Sequence, residues 1–193
     1  MSSTQRVVVI TGASSGIGTV TAEHFAGLGD RVIVVGRNPE RTQAVADRLG
    51  AEALLADYDR LDDVRALAAA IRSRTDHVDV LLNNAGGLVS TRTRTVDGFD
   101  STFQTNHLAP YLLTRLLLPE LVAGSATGPD SPEAGRVVST SSVANRFGRL
   151  DLDDLDGFDR PWRGGWRAYG TAKLAVVLFT RELARRQQAA DTG

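Results

Sequence analysis

Cysteine is absent from all 193 residues of the chain. That absence excludes a disulfide framework, a thiol nucleophile and a thiolate metal centre. The three histidines, His24, His77 and His107, are scattered and share no ligand spacing, so no metal site is expected. No apolar run approaches the length of a membrane span, and the first residues do not form a secretory signal. Lys and Arg together number 22 against 23 Asp and Glu, a net charge of −1. With the signs interspersed there is no basic field for nucleic acid, and no membrane partner is indicated. A cytoplasmic address is the expectation.

What is present fits a globular protein: 42% hydrophobic and 23% charged residues, in a chain long enough to bury one substantial core. Residues 1–193 therefore read as a single domain. Apolar runs at Val7–Ile10, Arg31–Val35, Glu52–Ala56, Val78–Leu82 and Val137–Thr140 predict five strands. Between them, helical patterns run to about Leu28, over Pro39–Leu49, Asp62–Arg74 and Phe99–Leu121, the last expected to bend near Pro110. A long helix over Trp166–Gln188 closes the chain. Strands alternating with helices predict an α/β fold, a parallel sheet of the doubly wound Rossmann type with helices on both faces. Ala123–Gly135 reads as a surface loop, and Arg146–Gly165 as a segment folding over a face of the sheet.

The chemistry begins at Thr11–Gly18, reading Thr-Gly-Ala-Ser-Ser-Gly-Ile-Gly between the first strand and the first helix. Glycines there leave room for close approach of a phosphate, and the helix N-terminus behind them attracts an anion. The simple alternative is a glycine-rich turn without a ligand, since such spacing is weak outside its context. Near the end of the second strand an NAD site would carry a carboxylate for the ribose hydroxyls. This chain has Arg37 instead, and a guanidinium matches a phosphate in shape and charge. NADP is thus expected over NAD, unless Arg37 is merely solvated and paired with Glu40. Tyr169 and Lys173 stand four residues apart in a helical pattern, so both side chains leave one face. A free phenol titrates near 10, too high for a base at neutral pH, and a neighbouring ammonium favours the phenolate.

Thr11–Gly18, Asn83-Asn84-Ala85-Gly86, Asn106, Ser141-Ser142 and Tyr169-Gly-Thr-Ala-Lys173 together resemble the short-chain dehydrogenase/reductase family, in the family's order and over nearly the whole chain. Asn106-His-Leu-Ala-Pro-Tyr-Leu-Leu-Thr and the long gap before Tyr169 are similar to its retinol dehydrogenase and WW-domain oxidoreductase-like branch. The resemblance implies a carbonyl or alcohol substrate and a catalytic set of Asn106, Ser142, Tyr169 and Lys173. In this set the tyrosine exchanges a proton with the substrate oxygen, the lysine also holds the nicotinamide ribose, and the serine orients the substrate. Asn106 would mark a helix kink whose freed carbonyl holds a water beside the lysine; its simpler reading is a bend next to Pro110. Ser139 and Ser141 could donate as well as Ser142 on chemistry alone. The implied cofactor-binding set is Gly12, Ser14, Ser15, Gly16, Ile17, Gly18, Arg37, Asp57, Asn84, Ala85 and Gly86, together with Tyr169 and Lys173. Asp57 resembles an adenine-contacting aspartate, and Asn83 is expected to be structural.

One departure is evident. Family members continue past the tyrosine helix with further strands and a substrate lid, whereas this sequence stops at Gly193. The expectation is a sheet truncated after that helix, in a fragment of a longer protein or a short form with impaired chemistry. Its fifth strand would be exposed as an edge that invites pairing with another chain, a second copy included, or aggregation. A dinucleotide-binding module without turnover is the alternative to an active oxidoreductase. A nucleophilic hydrolase finds no Gly-x-Ser-x-Gly elbow to support it.

Overall fold

The computed structural model describes residues 5–89, 91–124, 135–159 and 161–191. Strand β1 (Val7–Thr11) is buried along its whole length, the pattern of a central parallel strand covered on both faces. Val7 and Val9 point into one core cluster, and Val8 and Ile10 into a second one on the opposite side. Each such side chain contributes roughly 1.5–3 kcal/mol by leaving water. β2 (Arg31–Gly36) and β4 (Val80–Asn83) pair with β1 in parallel on its two sides. β3 (Glu52–Leu55) extends the sheet beyond β2, and β5 (Arg136–Ser139) beyond β4. The order is β3-β2-β1-β4-β5, which is the Rossmann-type parallel sheet expected.

Helices α1 (Gly16–Gly27) and α2 (Pro39–Leu49) cover one face, through Ala22, Val45 and Ala46. The start of α2 is fixed locally: Asn38 Oδ1 accepts from the Arg41 N–H at 2.9 Å and Pro39 occupies the first turn, where its missing N–H costs nothing. On the other face, α3 (Leu61–Arg72) buries Val64, Leu67, Ala68 and Ile71, the stripe that a 3.6-residue period produces.

The stretch expected as one helix bent near Pro110 is built from four segments. It runs as a short α4 (Ser101–Phe103), a π-helical turn at Gln104–Leu108, α5 (Ala109–Leu116), and then α6 (Leu118–Ala123). The irregularity thus precedes Pro110, which sits harmlessly in the first turn of α5. The second break falls at Leu117, because Pro119 starts α6. β4 also begins two residues later than its apolar run. The Val78 N–H goes to the Glu120 carbonyl at 2.9 Å instead of into the sheet.

Most of the loop expected at 123–135 lies outside the described residues. The segment expected at 146–165 follows a 3-10 turn at Val143–Phe147 and ends in another at Arg163–Gly165. It packs on the closing helix α7 (Trp166–Asp191), where the Arg149 N–H donates to Thr171 Oγ1 and Thr171 Oγ1 donates to the Arg149 carbonyl, each at 3.2 Å. It also meets the segment after β4, since the Arg92 and Arg94 guanidiniums lie over the Phe158 ring. No helix among the described residues is long and apolar enough to cross a membrane.

Candidate active site

Everything that follows a strand here gathers around one cavity of about 770 Å³, at the carboxyl edge of the sheet where ligands of such folds bind. β1 delivers Thr11, Gly12, Ser14, Ser15 and Ile17 to its wall, β2 delivers Arg37, and β3 delivers Asp57. Asn84, Ala85 and Gly86 come from β4, while Tyr169 and Lys173 enter from the first turns of α7.

The glycine loop is held shut by contacts no side chain could share. A Cβ on Gly18 would stand 2.3 Å from the Gly12 carbonyl oxygen and 2.7 Å from Asn84 Nδ2. Gly18 is therefore packing beneath the loop and not part of the cavity wall, and Gly16 also lies off the wall. The hydroxyl of Thr11 wires the loop to β4: it donates to the Leu82 carbonyl and accepts from the Asn84 and Ala85 N–H groups at 3.1 and 3.0 Å. Asn84 Nδ2 donates to the Thr11 carbonyl at 3.0 Å. The side chain of Asn84 thus fastens two loops while its residue lines the cavity. α1 opens at Ser15 in extended backbone, with no side-chain capping bond among the described residues and no acidic residue in its first turn. Its N-terminal N–H groups remain available to an anion.

Arg37 is largely exposed, and its carboxylate neighbour is Asp57, 4.0 Å away, at the limit of an ion pair. Asp57 is otherwise engaged in the turn, its Oδ1 accepting from the Asp59 N–H and its N–H donating to Asp63 Oδ2, both at 3.1 Å. Asn38 and Arg41 line the same corner and were not expected from sequence. The signal was there in the Asn-Pro helix start, which puts Arg41 one turn in from the cap.

At the far end, Lys173 is buried, and its Nζ donates to the Thr140 carbonyl at 2.9 Å. Burial lowers its pKa from 10.5 to about 8, because a desolvated ammonium loses hydration. Lys173 Nζ lies 5.5 Å from the centre of the Tyr169 ring, and both side chains face the cavity. Thr140 is the anchor that sequence reading missed. A backbone carbonyl leaves no trace in residue identity.

Asn106 sits in the π turn and closes the wall behind this pair. Its Oδ1 accepts from the Gly87 N–H at 2.9 Å, and its Nδ2 donates to the Gly87 and Thr102 carbonyls. Gly86 has φ 145°, and a Cβ there would stand 2.5 Å from Asn106 Oδ1, so this corner requires glycine. Pro110, four residues on, has no N–H to give the Asn106 carbonyl. The three serines separate. Ser139 ends β5 in register with Asn83, Ser141 Oγ donates to the Lys173 carbonyl at 3.1 Å, and Ser142 Oγ accepts from the Ala144 N–H at 3.2 Å as the cap of the 3-10 turn. Ser142 is not among the residues lining the cavity. Asn83, buried, donates through Nδ2 to Thr114 Oγ1 at 2.9 Å.

Comparison with known proteins agrees with this architecture. The short chain dehydrogenase family model matches residues 6–152. A provisionally named daunorubicin C-13 ketoreductase from Streptomyces sp. (strain C5) is 43% identical over 187 residues, covering 94% of this chain and 61% of the relative. Human retinol dehydrogenase 13 is 37% identical over 190 residues, covering 95% and 55%. An uncharacterised protein from Mycobacterium paratuberculosis superimposes with a TM-score of 0.83 at 42% identity, covering 97% of this chain and 64% of that one. A short chain dehydrogenase from Shigella flexneri solved with NADP gives 0.72 at 27% identity, over 95% and 72%. The chain spans about half to three-fifths of the length of these curated relatives. With the family model matching most of its length, the chain belongs to the short-chain dehydrogenase family, within its retinol dehydrogenase-like branch.

Proposed function

We propose that the chain serves an oxidoreductase that moves hydride between NADP(H) and a carbonyl or alcohol substrate, with Tyr169 as the acid/base. The observation that carries this reading is the Tyr169–Lys173 pair, standing in the wall of the same cavity as the glycine loop.

The residues fit the cofactor. The uncapped N-terminus of α1 and the loop Gly12–Ile17 suit a pyrophosphate. The loosely held guanidinium of Arg37 suits a ribose phosphate, which favours NADP over NAD, and the Shigella relative was solved with NADP. Asp57 would hold the adenine end, and Asn84, Ala85 and Gly86 would hold the nicotinamide side, since all four line the cavity. When bound, the nicotinamide supplies or accepts the hydride at the substrate carbon.

The chain's own residues handle the proton. The Tyr169 hydroxyl gives it to the substrate oxygen in reduction and takes it back in oxidation. The ammonium of Lys173 stabilises negative charge on the phenol oxygen as the proton leaves. One of its three donors is spent on the Thr140 carbonyl, which leaves two for a ribose hydroxyl. The Ser142 hydroxyl, two residues beyond Thr140 of the cavity wall, accepts from Ala144 and keeps a proton that it would donate to a substrate oxygen. Asn106 fixes Gly87 and thereby the wall beside the reacting centre. Leu88 and Val89 give the substrate end an apolar lining, in keeping with relatives named for retinol and daunorubicin.

Tyr169→Phe tests the assignment, because it keeps the ring and removes the proton. Turnover of NADPH with an aldehyde or ketone panel should fall by roughly 10²–10⁴-fold, while NADPH affinity stays within about twofold. Turnover near the parent level in Tyr169→Phe would overturn the role given to Tyr169.

A further inference from the structure

His107 takes no part in the chemistry above, yet it is held with unusual care. It lies in the π turn, its ring 5.3 Å from Phe103, 6.1 Å from Tyr111 and 6.4 Å from Phe179 of α7. Its Nδ1 is buried and has no hydrogen-bond partner among the described residues. The same is true of Asn83 Oδ1 at the end of β4. Both residues line one small cavity of about 10 Å³, behind the active-site wall. A cavity of about 10–15 Å³ is the least that holds one water, and it holds one only when polar groups converge on it.

The orientation of the asparagine follows from its neighbours. Thr114 Oγ1 spends its proton on the Pro110 carbonyl at 2.8 Å, so towards Asn83 it accepts. Asn83 therefore presents Nδ2 to Thr114, at 2.9 Å, which leaves Oδ1 as its buried acceptor without a partner among the described residues. Burial lowers the pKa of His107 to about 4, so the imidazole is neutral at physiological pH. A neutral Nδ1 either donates or accepts, and a water can answer both.

We infer that one buried water is a built-in part of this fold, bridging Asn83 Oδ1 and His107 Nδ1, and that His107 is a positioning residue for the active site. The link is Thr140, which lines both this cavity and the large one and whose carbonyl holds Lys173 Nζ. The water fills the junction where the π turn, the ends of β4 and β5, and α7 meet. Without it two buried polar atoms stay unpaired, and the wall that fixes the Lys173 ammonium can shift.

The site stands on geometry alone, whereas the positioning role rests on the cofactor reading above, and the experiment separates the two. A high-resolution crystal structure should show one ordered water about 2.7–3.2 Å from both atoms. Protein atoms filling the space, or no ordered water there, would overturn the site. His107→Asn keeps a polar atom at the Nδ1 position, while His107→Gln carries it one bond too far and His107→Phe removes it. His107→Asn should melt within about 1 °C of the parent and keep its NADPH affinity. His107→Gln and His107→Phe should melt about 2–4 °C lower and bind NADPH several-fold more weakly. Equal melting and affinity across all three would overturn the positioning role, and since His107→Asn and His107→Gln differ by one methylene, loss of folding in His107→Phe leaves the comparison intact. A parent chain that shows the water but binds no NADPH would support the site and overturn the cofactor reading.

Discussion

The two sides of the sheet carry different burdens. From β1 out to β2 every strand residue but the first, Arg31, is buried, and both faces are covered by helices. At β5 only Val137 packs into a core cluster, and Val138, on the opposite face, is 47% exposed. The first side holds the expected phosphate contacts, and the second holds Thr140, Tyr169 and Lys173. Anion binding needs backbone N–H groups fixed by a rigid core, which β1 and β2 supply. Proton chemistry needs side chains placed by packing between elements, and here α7 rests on turns and on the π segment. The side expected to bind is thus more completely enclosed than the side expected to carry the chemistry.

The largest expected effect sharpens that contrast in stability. Ile33→Ala on β2 should cost about 2–5 kcal/mol, because it empties a fully buried site. Val138→Ala on β5 should fall within about 0.5 kcal/mol of the parent. Denaturant unfolding of both variants decides it, and comparable losses would show that β5 is as well supported as β2.

A second test separates binding from chemistry. Arg37→Asp removes a charge-assisted contact worth about 1.5–3 kcal/mol and sets a carboxylate against the phosphate. NADPH affinity should drop by at least tenfold while NADH affinity holds or rises, as titration of both cofactors would reveal. Equal affinities of the parent for the two would break the assignment of Arg37.

A third test concerns Lys173. Its pKa is about 8 in the fold against 10.5 ordinarily, so between these values the unfolded chain binds more protons. Stability from this residue therefore rises with pH from about 8 towards 10.5 and is lowest below 8. Lys173→Met should flatten that rise and melt a few degrees higher at pH 7, about 2–4 °C for each kcal/mol relieved, while weakening NADPH binding. Melting curves over that pH range measure it, and a parallel pH dependence in both proteins would contradict it.

Legibility in the sequence followed the same division. The five strands came from runs such as Val7–Ile10, their parallel arrangement came from the alternation with helices, and the loops after them placed the glycine turn and Arg37 at one edge. What escaped was whatever backbone does without a distinctive side chain. The π turn at Gln104–Leu108 looks like ordinary helix in its apolar pattern, and only the resemblance pointed to a kink at Asn106. The carbonyl of Thr140 could not be read at all. Ser142 carried the resemblance, and its oxygen also caps the turn that follows β5. Asn84 looked like a contact for a ligand, and its amide is engaged with the protein's own loop.

The hydroxyl of Thr11 constrains how this position can drift over generations. It serves three backbone partners at once, donating to the Leu82 carbonyl and accepting from two consecutive N–H groups. Valine would match its shape and satisfy none of them, and serine alone would keep the connections while leaving a methyl-sized gap. The two loops that meet at this oxygen are therefore fastened to each other through a single side chain, so the loss of one hydroxyl would loosen both.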